Sequence, residues 1–171
     1  MATQPTAGGG SRFWRVAFRV FYRFLRLVDP LIRSWLAHSW PGMDGVVDIR
    51  VAGRRSGRQR RILVTLLGVG GRWYVGHPNG DTPWTRNLEA ARTIEIDPPP
   101  AGAESVHPVR LPRGPERDAV ILATRVQQPF PGNLIYRAAG RHIAAVGVYF
   151  RLEPVPLAPG TFGRLGLSDS A

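Results

Sequence analysis

The chain has 171 residues, no cysteine and a formal net charge of +11, and all 23 of its basic residues are arginine. This length predicts one domain that buries roughly two thirds of its extended-chain surface. The composition excludes disulfides, cysteine nucleophiles, cysteine-ligated metals, lysine Schiff bases and a Walker A lysine. The four histidines lack metal-binding spacing and no serine lies in a GxSxG motif, so neither a metal site nor a nucleophilic hydrolase is expected.

The N-terminal part of the chain divides into a polar start and an amphipathic segment. Residues 1–11 are small and polar without the apolar centre of a signal peptide, which predicts a disordered start. In the segment 12–28, at about 100° per residue, the arginines fall within an arc of about 80° and apolar residues fill most of the rest. The pattern predicts a helix that Asp29-Pro30 ends or kinks, within an amphipathic helical segment that extends over residues 12–38.

The wide apolar arc of this helix leaves two roles open. Its charges argue against a membrane span, but a basic helix with tryptophan and phenylalanine suits the interface of an anionic membrane. A cytoplasmic protein could then lie peripherally on the inner face of the membrane. Alternatively, the helix could bury its apolar arc against the remainder of the chain or in a homodimer.

From residue 46 the hydrophobic pattern has period two, which is typical of half-buried strands. Strands are predicted at 46–51, 61–67, 72–77, 92–97, 106–111 and 143–153, and helices at 84–91, 115–126 and 133–141. The strands at 61–67 and 72–77 form a predicted hairpin around a glycine-rich turn at 69–72. No βαβ series is visible. The chain therefore predicts an α+β, mainly β fold, with a six-stranded barrel over residues 44–153, flanking helices and a loose tail over residues 154–171.

An arginine-rich turn links the first two predicted strands. Five of the eight residues from Arg54 to Arg61 are arginine, and they flank Ser56 and Gly57. A glycine in such a turn adopts positive φ at little cost, and the turn exposes backbone N–H donors beside guanidinium groups that match phosphate or carboxylate oxygens. The pattern favours a small polyanion as ligand, although a solvated basic hairpin has the same composition.

The helix that follows the predicted hairpin carries two further candidates. Trp84 and Asn87 lie three residues apart, so they share a helix face. Each also has an ordinary structural interpretation, because tryptophan is commonly a packing anchor and asparagine commonly a cap or turn residue.

Four elements follow one another in the chain: GRRSGRQRR, an apolar strand, a GGRWYV strand and WTRNL. In this order they resemble the deazaflavin-dependent nitroreductase family, a branch of the split β-barrel flavin and deazaflavin oxidoreductases. The family pattern is G-R-x-S-G-x-x-R followed by W-x-x-N-L. The resemblance covers residues 46–97, and residues 147–150 fit the closing strand. It implies a split β-barrel of the FMN-binding type. The chain departs from the family in a shorter loop before Trp84, in Thr85 at an often aromatic position, and in lacking a proline after the helix.

The resemblance implies that the chain binds coenzyme F-420 and passes a hydride from it to an apolar acceptor such as a quinone, nitroaromatic or conjugated enone. Trp84 and Asn87 would close the site, and Tyr136 is a candidate proton donor. The phosphate and tail would be held by Arg54, Arg55, Ser56, Arg60 and Arg61. The ring system would be lined by Ile62, Leu63, Val64, Thr65, Gly76, His77, Pro78 and Asn79.

Two alternatives remain at the level of the sequence. The first keeps the fold and exchanges the ligand for FMN or haem, as in a flavin reductase or a carrier without turnover. The second is a basic protein of a membrane surface or of nucleic acid. Nucleic acid is not expected, because aromatic residues do not interleave with the arginines of residues 54–61 as a stacking platform requires.

Overall fold

The computed structural model describes residues 11–36, 45–99 and 105–155. The predicted disordered start and most of the predicted tail lie outside these ranges. The helices are α1 (Arg12–Leu36), α2 (Pro83–Ala90), α3 (Pro115–Gln127), α4 (Gly132–Ala138) and α5 (Gly140–Val146). The strands are β1 (Val46–Ala52), β2 (Gln59–Thr65), β3 (Leu67–Val69), β4 (Arg72–His77), β5 (Ile94–Asp97), β6 (Ser105–Arg110) and β7 (Val148–Pro154).

The strands form one antiparallel sheet in the order β2-β1-β5-β6-β7-β4-β3. The two edge strands, β2 and β3, are consecutive in the chain and only Leu66 separates them. One short stretch of chain therefore connects opposite edges of the sheet, which requires the sheet to curl into a half-barrel. The described part of the chain thus combines α-helices with a curled antiparallel sheet, as predicted, but it has seven strands instead of six. It is not mainly β, because its helices contain more residues than its strands.

Two hydrophobic clusters cover opposite faces of this sheet, as the alternation of side chains along a strand dictates. The aliphatic cluster consists of Val47, Ile49, Val51, Leu66, Val75, Leu88, Ile94, Ile96, Val106, Val148, Phe150 and Leu152. The aromatic cluster consists of Phe18, Leu67, Tyr74, Leu111, Val120, Ile121, Tyr136, Ala139, Ile143 and Tyr149. The first has α2 packed against it through Leu88, and the second joins the sheet to α1, α3, α4 and α5.

The seventh strand arises because the apolar run predicted as one strand at 61–67 is divided. Its first part, in β2, pairs with β1, whereas Leu67 begins β3 and pairs with Tyr74 of β4. The predicted hairpin of 61–67 and 72–77 is therefore confirmed only near its turn, where β3 pairs with β4. Gly70 and Gly71 form its turn with φ of 57° and 73°, a left-handed conformation that glycine adopts without strain.

Several other boundaries differ from prediction: β2 begins at Gln59 instead of residue 61, and the ends of β1, β6 and β7 differ by one residue. The stretch 143–146, predicted as the start of the last strand, belongs to α5, because alanine-rich sequence favours a helix and only Gly147 ends it. The predicted helix at 133–141 is two helices that meet at Ala139. Strand β5 begins at Ile94 instead of residue 92, since Ala91 still caps α2 through a bond from its N–H to the Leu88 carbonyl.

Helix α1 continues through Asp29-Pro30 to Leu36, so the proline does not end it. A proline removes one backbone hydrogen bond from a helix, and the backbone of α1 remains helical despite that loss. The predicted helices at 84–91 and 115–126 are confirmed to within one residue at each end.

Candidate functional site

The arginine turn is a closed loop between β1 and β2. The Gly53 N–H donates to the Arg58 carbonyl at 2.9 Å, and the Gly57 N–H donates to the Gly53 carbonyl at 2.8 Å. Gly57 has a φ of 64°, as a tight turn at this position requires. The Ser56 hydroxyl accepts from the Arg58 N–H at 3.4 Å, so its own proton can be donated to a ligand. All residues from 54 to 61 are exposed.

The Trp84 helix lies against this turn. The Arg54 backbone N–H and its Nη1 donate to the Asn87 Oδ1 at 3.3 and 3.4 Å, and Nη1 also donates to the Pro83 carbonyl at 3.4 Å. A reciprocal capping box between Thr82 and Thr85 fixes the start of α2. The two sequence motifs, 33 residues apart, are thus neighbours in space.

The arginines of the turn do not all point to one side. Arg60 pairs with Val51, which belongs to the aliphatic cluster, whereas Arg61 lies opposite Arg50 on the other face of the sheet. The Arg61 Nε donates to the Asp48 Oδ2 at 2.8 Å, and Asp48 is only 6% exposed. Arg61 is therefore committed to a buried carboxylate, while Arg60 stays exposed on its own side of the strand.

The same alternation divides the strand predicted to line the ring system. Ile62 and Val64 pack against the aliphatic cluster, whereas Leu63 and Thr65 point to the opposite face. The Thr65 hydroxyl donates to the Gln128 Oε1 at 3.0 Å. One ligand can therefore contact only alternate residues of this strand, because their side chains share one face.

His77 lies between two aromatic rings at the end of β4. Its ring centroid is 4.7 Å from that of Tyr22 in α1 and 5.9 Å from that of Trp84 in α2. Its Nδ1 is 3.2 Å from the Gly80 carbonyl, to which it can donate. Burial lowers the pKa of His77 to about 4, so the imidazole is neutral at pH 7. Tyr22, His77 and Trp84 form one aromatic wall.

Asn79 connects the predicted ring-lining segment to α1. Its Nδ2 donates to the Arg15 carbonyl at 3.2 Å, and its Oδ1 lies 2.9 Å from the His142 Nε2, which can donate to it. The ring of His142 stacks on Phe18 with centroids 6.0 Å apart. In this structure Asn79 therefore holds the N-terminal helix in place. Pro78 beside it is buried, and Gly76 lies against the Tyr149 ring.

Tyr136, the candidate proton donor, lies beneath α1. It is 5% exposed, and its hydroxyl is 3.2 Å from the hydroxyl of Tyr22. Burial raises the pKa of Tyr136 well above 10 and the pKa of Tyr22 to about 12. Tyr136 reaches the aromatic wall through Tyr22. Sequence reasoning gave Tyr22 no role, because nothing in the helical pattern distinguishes it from its apolar neighbours.

Comparison with known proteins gives structural likeness without a family assignment. No family model matches the chain, and no curated protein matches it. An F-420-H2 dependent reductase is 18% identical over 64% of this chain and 94% of its own, with a TM-score of 0.46. The heme storage protein HutZ from Vibrio cholerae is 16% identical over 66% of this chain and 83% of its own, with a TM-score of 0.48. A structure described as a domain-swapped dimer is 17% identical over 74% of this chain and 98% of its own, with a TM-score of 0.46. These likenesses concern the fold alone.

Proposed function

We propose that this protein binds the reduced deazaflavin coenzyme F-420 in the cytoplasm and transfers a hydride from it to an apolar acceptor such as a quinone, nitroaromatic or conjugated enone. The observation that supports this most is the hydrogen bonding of Arg54 to Asn87, which brings the arginine turn into contact with the Trp84 helix. A basic turn beside an aromatic wall suits a ligand that has an anionic tail and a flat ring system.

The arginine turn fits the anionic part of such a ligand. Arg55, Arg58 and Arg60 are exposed, and residues 53–65 include no acidic side chain. Guanidinium groups bind phosphate and carboxylate oxygens with paired N–H donors, and the Ser56 hydroxyl adds one more donor. Because Arg61 pairs with Asp48, the tail would depend mainly on the other arginines of the turn.

The aromatic wall fits the ring system. Trp84 is partly buried and packs against the aliphatic cluster, and the neutral ring of His77 is held by the turn at Gly80. When bound, the cofactor supplies the hydride chemistry. The chain's own residues would orient the ring and exclude water from one side of it. Tyr136 remains the proposed proton donor, acting through its contact with the Tyr22 hydroxyl.

Fluorescence and absorbance titration of the pure protein with F-420, FMN and haem tests the ligand. We expect F-420 to bind most tightly, and Arg55→Ala or Arg60→Ala to weaken its binding by roughly 1.5 to 3 kcal/mol. Arg92→Ala, an exposed arginine outside the turn, is the control and should bind as the wild type does. A double variant at positions 55 and 60 with wild-type affinity would place the phosphate elsewhere.

The same titrations distinguish the alternative ligands. Preference for FMN would indicate a flavin reductase, and preference for haem would indicate a carrier. Light scattering on the same samples tests whether the chain forms a homodimer.

Stopped-flow kinetics tests the reaction. We expect menadione-like quinones or nitroaromatics to oxidise the reduced cofactor faster in the presence of the protein, because Trp84 of the aromatic wall belongs to the helix that contacts the basic turn. Rates no faster than the uncatalysed reaction across several acceptors of both classes would contradict the enzymatic proposal and leave a binding protein.

A further inference from the structure

Helix α1 is fixed to the rest of the protein by one face. Trp14, Phe18 and Tyr22, spaced four residues apart, all pack on the aromatic cluster, and Phe18 is completely buried. The Phe18 ring contacts both Tyr136 and His142 with centroids 6.0 Å apart in each pair. These contacts set the rotation of the helix about its own axis, so the directions of the other described side chains, at residues 12–24, follow.

The opposite face of α1 is apolar and exposed. Four large hydrophobic residues form this outer stripe: Phe13, Val16, Val20 and Phe24, with exposed fractions of 70%, 56%, 62% and 59%. At about 100° per residue, the centre of the stripe lies roughly 160° from Phe18. One helix therefore carries two apolar faces, and among the residues that the structure describes only the inner face is packed against other elements.

A row of arginines runs beside the outer stripe. Arg12, Arg15, Arg19 and Arg23 are exposed and fall on the helix surface between the buried face and the outer stripe. The sequence from residue 12 to residue 28 includes no acidic residue. This arginine flank is therefore an uncompensated row of positive charge that borders an apolar surface along about three turns of helix.

We propose that α1 docks the folded protein on an anionic lipid bilayer, with the outer stripe at the acyl boundary and the arginine flank against lipid phosphates. The charge favours this occupant, since anionic lipids supply what the helix lacks, and a helix with these two surfaces lies in the plane of the interface. In the part of the chain that the structure describes, no helix is long and apolar enough to cross a bilayer.

A second copy of the chain suits this surface less well. If two outer stripes packed together, each would bring its arginine flank to the rim of the contact, with no acidic residue between positions 12 and 28 to pair with it. Like charges placed close together oppose association. The bilayer instead stabilises both parts of the surface at once.

The orientation of α1 gives this docking a consequence for the candidate site. Tyr22, on the inner face of α1, contacts His77. The Tyr22 side of the aromatic wall would thus lie within one helix diameter, about 10 Å, of the bilayer surface. Apolar molecules dissolved in the membrane would be close to it. The docking itself depends only on α1 and does not require the proposed cofactor.

Flotation of the full chain with vesicles tests the proposal through exposed positions only, because deleting α1 would also remove the buried Phe18. We expect binding to vesicles of equal parts phosphatidylcholine and phosphatidylglycerol, weakened by salt, and none to phosphatidylcholine alone. Phe13→Ser with Phe24→Ser should weaken the binding at least roughly tenfold. Arg19→Gln with Arg23→Gln should weaken it on the order of thirty-fold.

Matched controls distinguish binding through the surface of α1 from binding that depends only on the total charge and exposed apolar area of the protein. Val126→Ser with Phe130→Ser removes two apolar residues that are 72% and 79% exposed outside α1, and Arg86→Gln with Arg92→Gln removes two exposed arginines outside it. Both controls should float like the wild type, and all four variants should unfold at the wild-type temperature. Absence of flotation, or equal losses in variants and controls, would overturn the proposal. So would a dimer in light scattering that only the Phe13 and Phe24 changes dissociate, since the outer stripe would then bind a second copy.

Discussion

The two faces of the sheet are packed in different ways. The aliphatic cluster contains one aromatic residue, Phe150, and its members come mainly from alternating positions in the strands. The aromatic cluster contains Tyr74, Tyr136 and Tyr149 and draws on four of the helices. Tyrosine hydroxyls need partners when buried, so this second cluster brings polar groups into contact with the core. The aliphatic cluster holds α2 with Trp84 against the sheet, and the aromatic cluster holds α1 with Tyr22, so the candidate site draws on both.

The largest expected effect comes from removing the anchor of α1 in the aromatic cluster. Phe18→Ala should lower the free energy of unfolding by about 3 to 5 kcal/mol, because the side chain is completely buried and leaves a cavity. Denaturant unfolding measures it. Phe13→Ala, on the exposed face of the same helix, should change stability by less than about 0.5 kcal/mol. If Phe18→Ala costs no more than Phe13→Ala, then α1 is not anchored by this residue.

Acid should lower the free energy of unfolding of the protein through His77. Its pKa is about 4 in the folded protein against 6.5 in the unfolded chain, so the unfolded state binds more protons between these values. Stability from this group is fully present above pH 6.5 and is lost as the pH falls towards 4, by up to about 3 kcal/mol. Burial also lowers the pKa of His142, which acts in the same direction.

Chemical denaturation at a series of pH values measures this dependence. His77→Gln should remove most of the slope between pH 6.5 and 4, whereas Phe13→Ala, an exposed change without a titratable group, should retain it. The aliphatic cluster contains no titratable side chain and should contribute nothing to the slope. An unchanged slope in His77→Gln would mean that other groups control the acid response.

The buried positions of the aliphatic cluster could be predicted from the sequence, whereas the contacts of the aromatic cluster could not. Val47, Ile49 and Val51 alternate with polar residues, and that local pattern alone predicts β1 and its buried face. By contrast, the contact of Asn79 with the Arg15 carbonyl joins residues 64 positions apart, and no local pattern encodes it. The same holds for the placement of Tyr22 against His77.

Within the candidate site, the sequence predicted which segments come together better than it predicted the direction and contacts of each side chain. The resemblance named both the arginine turn and Asn87, which the structure brings together. It also grouped Arg61 with the other arginines, because spacing along a strand does not reveal the buried Asp48 across the sheet. The division of the apolar run at Leu66 was likewise missed, since a strand that changes partners midway keeps the same composition.

A smaller effect is expected from the hydroxyl pair inside the aromatic cluster. A double-mutant cycle with Tyr22→Phe and Tyr136→Phe should give a coupling of about 1 kcal/mol in the free energy of unfolding, because each hydroxyl is the other's partner at 3.2 Å. The same variants test Tyr136 in turnover. A rate of hydride transfer within about twofold of the wild type would exclude it as proton donor, whereas a loss on the order of a hundredfold would support that role.

The smallest expected change in stability is at the contact between the arginine turn and α2. Asn87→Ala removes an acceptor for two bonds from Arg54, but both are 3.3 to 3.4 Å long and exposed, so the free energy of unfolding should fall by about 0.5 kcal/mol or less. Affinity for F-420 should nevertheless fall a few fold, since Arg54 would no longer be held by Asn87.

The Asn87→Asp variant distinguishes the position of Arg54 from the charge near the ligand. It keeps the acceptor for Arg54 but places a carboxylate beside the proposed phosphate. The Asn87→Asp variant should therefore bind F-420 more weakly than Asn87→Ala at low salt, and the two affinities should converge as salt is added. Equal affinities for the wild type and both variants would show that Asn87 neither positions Arg54 for the ligand nor lies near its charge.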